Sequence, residues 1–149
     1  MSSTDAPNKF LSVSYLTDAK EYLQAAIILH DSQYDHITSP QYFLISQGIE
    51  LFLKAFIIAS GGAQADLKKS KIRHSLVDLT EMASKLGHFA GDERTIAVIE
   101  LLHPHHLDHS FRYRKTGFKK YSAVSDGLAT LRRMDREISP IVRQSIARL

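Results

Sequence analysis

The chain has 149 residues, of which 44% are apolar and 23% charged, with 19 Lys+Arg against 16 Asp+Glu and no cysteine. That composition belongs to a folded globular domain and excludes a disordered or collagen-like chain. The absence of cysteine excludes a disulfide framework, a thiol nucleophile and a cysteine zinc site. One domain is expected at this length. The polar start, Met1 to Asn8, lacks the apolar run of a secretory signal, so a cytoplasmic location is expected.

The first 14 residues carry no clear pattern and are expected to fray. From Tyr15 the periodicity becomes helical, with Tyr15, Ala19, Tyr22, Ala26 and Leu29 three or four residues apart and Leu16, Leu23 and Ile27 flanking them. Ser14 is the expected N-cap. Asp31 to Ser39 breaks the pattern as a loop. Ser39-Pro40 then has the form of a helix start, a capping hydroxyl followed by proline at the first helical position. This second helix is expected to run to Ser60 and to stop at Gly61-Gly62. It is apolar on most faces, which predicts neighbours all round it and burial of Leu44, Phe52 and Phe56.

That stretch is barely long enough to cross a bilayer. It also carries Glu50 and Lys54 near its centre. Each would cost about 2.5–3.5 kcal/mol in a membrane, so a buried central helix is expected and no membrane partner. The two charges are four apart with Glu first, the favoured order for a helical ion pair.

Ala63 to Arg73 forms a polar, lysine-rich connection. Ser75, with Asp78 three residues on, opens a third helix whose apolar face is Leu76, Leu79, Met82, Ala83 and Leu86, and Gly87 ends it. Asp92 is placed to cap a fourth helix with Ile96, Ile99 and Leu102 inward, and Pro104 is expected to kink or restart it. A short piece from His105 to Arg114 leads to a turn at Gly117. The last helix starts near Ala123, with Val124, Leu128, Leu131, Met134 and Ile138 as its stripe and a kink or new turn at Ser139-Pro140. No segment alternates cleanly as a strand would, so the fold class is all-α, an antiparallel bundle of four to five helices.

Charge is uneven along the chain. Residues 1–111 hold 9 Lys+Arg and 13 Asp+Glu, whereas residues 112–149 hold 10 and 3. A basic C-terminal third fits a phosphate or nucleic-acid footprint, and equally a solvated helix face.

Three constellations carry the chemistry. In His103-Pro104-His105-His106-Leu107-Asp108-His109, four of the eight histidines lie within seven residues. On a helix, His105 and His109 would share a face and could reach one metal, with Asp108 as a third ligand; the alternative is a hydrogen-bonded histidine cluster, and no metal is expected. In Phe111-Arg112-Tyr113-Arg114-Lys115-Thr116-Gly117-Phe118-Lys119-Lys120-Tyr121, five of eleven residues are cationic and four aromatic. Cations neutralise phosphates and aromatic faces stack on bases, so Arg112, Tyr113, Arg114, Lys115, Lys119 and Lys120 are the candidate RNA- or nucleotide-binding residues. The alternative has the aromatics anchoring a turn to the core. His74, just before the third helix, could act as a general base, but no partner carboxylate is identifiable from the sequence. Phosphate-loop, dinucleotide, nucleophile-elbow and EF-hand signatures are absent, and no cofactor is expected.

The order of these features resembles the HEPN domain family. The resemblance covers Tyr15 to Arg136 and rests on the Ala-rich first helix, on Glu50, Lys54 and Ala55 in the second, on His74, Leu76 and Leu79, and on the late Arg112-Tyr113 step. It implies residues 15–149 as a single HEPN-like helical domain, forming a homodimer. Members include metal-independent ribonucleases, RNA- or nucleotide-binding domains, and partners of minimal nucleotidyltransferases in toxin–antitoxin pairs. The ribonucleases carry Arg, four to six residues, then His. Here Arg112 would place that His among Gly117, Phe118 and Lys119, and Arg114 among Lys119, Lys120 and Tyr121; no histidine follows His109. The resemblance therefore implies a binding module. The alternative is a ribonuclease with an atypical site built from Arg112 with His105, His106 or His109.

Overall fold

In the computed structural model, the described residues are 5–88, 93–109 and 123–148. They form six helices and, among the described residues, no strand: α1 (Asp5–Asp31), α2 (Thr38–Ala59), α3 (Gln64–Leu67), α4 (Leu76–Lys85), α5 (Glu93–Leu107) and α6 (Val124–Ala147). The all-α helical bundle follows from the sequence as expected. The sixth helix is α3, a single turn inside the lysine-rich connection, held by Leu67, which is 2% exposed.

Helix α2 is the centre. Ile45, Ile49, Phe52, Leu53, Ala55 and Ile57 are fully buried, and 72% of its most apolar window lies inside the protein. By length and hydropathy α2 could cross a membrane. Here its neighbours cover it instead. Phe56 is 3% exposed, but Leu44 is only half-buried, on a face of α2 less covered than that of its neighbours Gln41 and Ile45. Helix α1 runs antiparallel to α2: Ser12, early in α1, donates its hydroxyl to the Ala55 carbonyl, late in α2, at 2.8 Å. Helices α2 and α6 run in the same direction, since Ile45 meets Gly127 and Gly48 meets Leu131.

Helix α1 begins ten residues before the expected start. Pro7 is tolerated so near the N-terminus of a helix, and Ser12, Leu11 and Leu16 dock on the core further along. Tertiary contact, not periodicity, extends the helix. Ser14 is consequently no N-cap; it lies inside α1 and its hydroxyl donates back to the Phe10 carbonyl at 3.2 Å. The buried stripe is Leu16, Ala19, Leu23 and Ala26, with Tyr15 and Tyr22 at its margin. Ser39 is no N-cap either. The cap is Ile37, without a side-chain bond, and Gln41 instead donates its amide to the carbonyls of Asp35 and Ile37 at 2.6 and 2.8 Å.

The expected stops hold. Gly61 (φ 98°) follows α2 and Gly87 (φ 103°) follows α4, in the left-handed region that glycine enters at little cost. Each end closes in the same way: the Gly62 and His88 amides reach back to Ile57 and Ala83 at 2.8 and 2.9 Å. Ser75 caps α4 as expected, accepting from the Asp78 amide at 3.1 Å. Helices α5 and α6 continue through Pro104 and Pro140, so neither proline ends its helix or starts a new one. Asp92 and Gly117 lie outside the described residues.

Candidate functional site

The one acidic residue of central α2 is Glu50, 2% exposed. A carboxylate so deep in a protein is costly unless it is paired and hydrogen-bonded. Three elements supply the partners. From one turn further along α2, Lys54 brings its ammonium to Oε2 at 3.1 Å. From the last turn of α5, His106 brings Nε2 to Oε1 at 2.9 Å. From the turn ahead of α4, His74 brings Nδ1 to the same oxygen at 3.1 Å. Burial by itself pushes the Glu50 carboxyl up. The hydrogen bond from His106, the charge of Lys54 and the bond from His74 outweigh it and hold the group at about 2. Glu50 is therefore an anion at neutral pH. Its charge, after burial, pushes the nearby Tyr15 phenol above its usual value.

An ionised carboxylate only accepts hydrogen bonds. Both imidazoles must then carry their proton on the nitrogen that faces Glu50. For His74 this fixes Nδ1–H and leaves Nε2 to accept or return a proton, on a side chain that is 38% exposed. This is the carboxylate–imidazole arrangement in which an acid holds the tautomer and orientation of a base. His106 is 6% exposed and occupied with Glu50 from inside.

The remaining histidines divide by position. His105 is buried at 8% exposure. His103 is half-buried; burial lowers it, and Asp78 opposes that shift. Helix α5 ends at Leu107, so Asp108 and His109 lie beyond it. The helical face that would have joined His105 to His109 is not formed. His109 instead turns through a φ of 60° and sets its ring edge-on to His74, with 6.2 Å between centroids. Among the described residues, no group of three or more His, Asp or Glu side chains is placed to hold a metal ion.

The structure thus joins two constellations that are separate in the sequence, His74 and the histidine cluster, through Glu50. Sequence reasoning treated Glu50 as half of a helical ion pair and left His74 without a partner. A usable signal was present: two charges four residues apart in an otherwise apolar helix need further polar partners from elsewhere in the fold. Arg112, Tyr113, Arg114, Lys115, Lys119 and Lys120 lie outside the described residues. The segment that carries them starts directly after His109. Comparison with family models, with curated proteins and with solved structures gives no match, so the HEPN-like resemblance rests on the sequence motifs alone.

Proposed function

We propose that this protein is a single-stranded-RNA-binding domain whose binding end is the pole where His74 meets His109. One observation supports this reading above the others. His109 is fixed against His74, and a run with five cations and four aromatics begins two residues later at Phe111. The basic segment thus follows the imidazole pair directly along the chain. Cations bind the phosphates, and Tyr113 and Tyr121 offer stacking faces for bases. In this reading the domain acts as a HEPN-like homodimer without turnover, and the partner class that the resemblance suggests is a minimal nucleotidyltransferase.

The test is a titration with labelled single-stranded RNA over a range of salt. Five phosphate contacts give a log–log slope of about −3.5, at about −0.7 per contact. Replacing Arg112 and Arg114 together with Ala is expected to flatten the slope by about 1.4. No binding at low salt, or a slope unchanged in the variant, refutes the reading.

A second reading, RNA cleavage, is favoured by the Glu50-held His74. His105 and His106 are buried, and of the more accessible His74 and His109 it is His74 that Glu50 orients, with Nε2 able to take the proton of a ribose 2′-hydroxyl as it attacks the neighbouring phosphate and expels the 5′-oxygen of the next nucleotide, which takes a proton from solvent. A 2′,3′-cyclic phosphate product that disappears in His74→Ala, while RNA binding persists, would separate cleavage from binding alone.

A further inference from the structure

A second cationic feature lies on different elements. Arg94 and Thr95, at the start of α5, and Ala129, Thr130, Arg133 and Arg136, on α6, line a cavity of about 180 Å³. Thr95 and His106 are eleven residues apart on α5, a rise of about 16 Å at 1.5 Å per residue. The cavity is thus distinct from the Glu50 cluster. We propose that this α5–α6 cavity binds the phosphate group of a phosphate monoester.

The α6 side of the cavity is set by helical spacing. Ala129, Arg133 and Arg136 fall at i, i+4 and i+7, on one face, and Ala129 contributes only a methyl group to the lining. Arg133 is held in place. Its Nε donates to Glu137 Oε1 at 2.8 Å, and its Nη1 reaches Thr95 Oγ1 at 3.5 Å. The other Glu137 oxygen lies 3.1 Å from His88 Nε2. Burial pulls His88 down to about 4, although Glu137 opposes it, so His88 is neutral at physiological pH and adds no charge. Arg94 and Arg136 are exposed, and among the described residues no carboxylate pairs with either.

Three guanidiniums therefore line one small space, and those of Arg94 and Arg136 meet no carboxylate among the described residues. Such like charges repel unless an anion lies between them. The planar fork of arginine matches the oxygens of a phosphate better than an ammonium does. Thr95 and Thr130, 2% and 4% exposed, complete the lining, which includes no acidic side chain. Size sets the class of ligand. The volume is below the roughly 300 Å³ at which pockets begin to enclose a whole small molecule. A single tetrahedral anionic group fits that limit, with the rest of the ligand outside. A monoester, with its dianionic terminus, matches the excess positive charge better than an internal phosphodiester.

The experiment is a ¹⁵N–¹H NMR titration of the full chain with inorganic phosphate, chloride being adjusted to keep ionic strength constant. Saturable shifts at Arg94, Thr95, Thr130 and Arg133 are expected. The double variant Arg94→Gln with Arg136→Gln is expected to weaken binding at least tenfold with an unchanged circular dichroism spectrum, since both side chains are exposed. Shifts that rise linearly without saturation, or equal affinity in the double variant, overturn the proposal. Adenosine 5′-monophosphate, adenosine, and an oligonucleotide with or without a 5′-phosphate identify the source. Tighter binding of the mononucleotide than of inorganic phosphate assigns the site to a nucleotide, and tighter binding of the 5′-phosphorylated oligonucleotide assigns it to an RNA end. Adenosine producing the same shifts as its monophosphate overturns a phosphate site. Replacement of Arg112 and Arg114 is expected to leave phosphate binding intact, so this proposal and the RNA-binding reading fail separately.

Discussion

Replacing Glu50 with Gln keeps the shape of the side chain and removes its charge. In the variant the Lys54 ammonium, 7% exposed, stays in the core without its counter-ion. Breaking one side of a buried pair costs about 3–5 kcal/mol. The titration of Glu50 supplies a second figure. Its fall from the ordinary 4.5 to about 2 corresponds to about 3 kcal/mol of folding stability, at 1.36 kcal/mol per pH unit. Because the folded state has the lower value, this stability is fully present above 4.5 and is lost as the pH falls towards about 2. Urea unfolding of both proteins, followed by circular dichroism, tests both figures. At about pH 7 the variant is expected to be less stable by about 3 kcal/mol or more, and the gap is expected to close at about pH 2. Asp135 and His88 also titrate below their ordinary values. They do so in both proteins, so the difference between the two isolates Glu50. Equal stability at neutral pH, or a gap that persists unchanged into acid, refutes the buried hub.

Two further outcomes are expected. Phe52→Ala removes a side chain with 0% exposure from the middle of α2 and is expected to cost about 3–5 kcal/mol in urea unfolding; a loss under about 1 kcal/mol would contradict the central position of this helix. The HEPN-like resemblance implies a homodimer, and Phe10 and Ile28 on α1, each 60% exposed, are large apolar side chains available to an interface. A symmetric dimer is expected by light scattering at micromolar concentration, and a monomer there refutes that assembly.

The helical architecture was legible because its signals are local. The all-round apolar character of α2, the Ser75 cap and the glycines after α2 and α4 each act within a few residues, and each holds in the structure. The starts of α1 and α2 were not legible. The first depends on Ser12 bonding to a carbonyl 43 residues away, and the second on Gln41 holding the preceding loop in place of a capping serine. The prolines end neither helix. Pro104 and Pro140 each remove a helical donor, yet buried neighbours, Leu102 and His106 around one and Ile138 and Val142 around the other, keep the helix docked on both sides. The candidate site was half legible. Glu50 with Lys54 is a local pair, whereas His74 and His106 reach Glu50 across 24 and 56 residues, separations that no periodicity encodes.

Those long separations give the site its mechanical character. A single carboxylate oxygen, Glu50 Oε1, is shared by the turn ahead of α4 and the last turn of α5. Neither imidazole can move away without leaving a charge in the core less well satisfied, which resists displacement more strongly than apolar packing alone. His109 sets its ring against His74, so the residue that precedes the basic segment by two positions is tied to the Glu50 hub through His74. Stability and RNA affinity should therefore respond to the hub in different proportions. Glu50→Gln disturbs the core and the pole together, whereas His74→Ala removes a side chain 38% exposed and disturbs mainly the pole. A loss of RNA affinity in His74→Ala with little loss of stability would place His74 on the binding side of the hub. A loss of stability as large as that of Glu50→Gln would make His74 one more structural ligand of the carboxylate, and the binding end would then begin at His109.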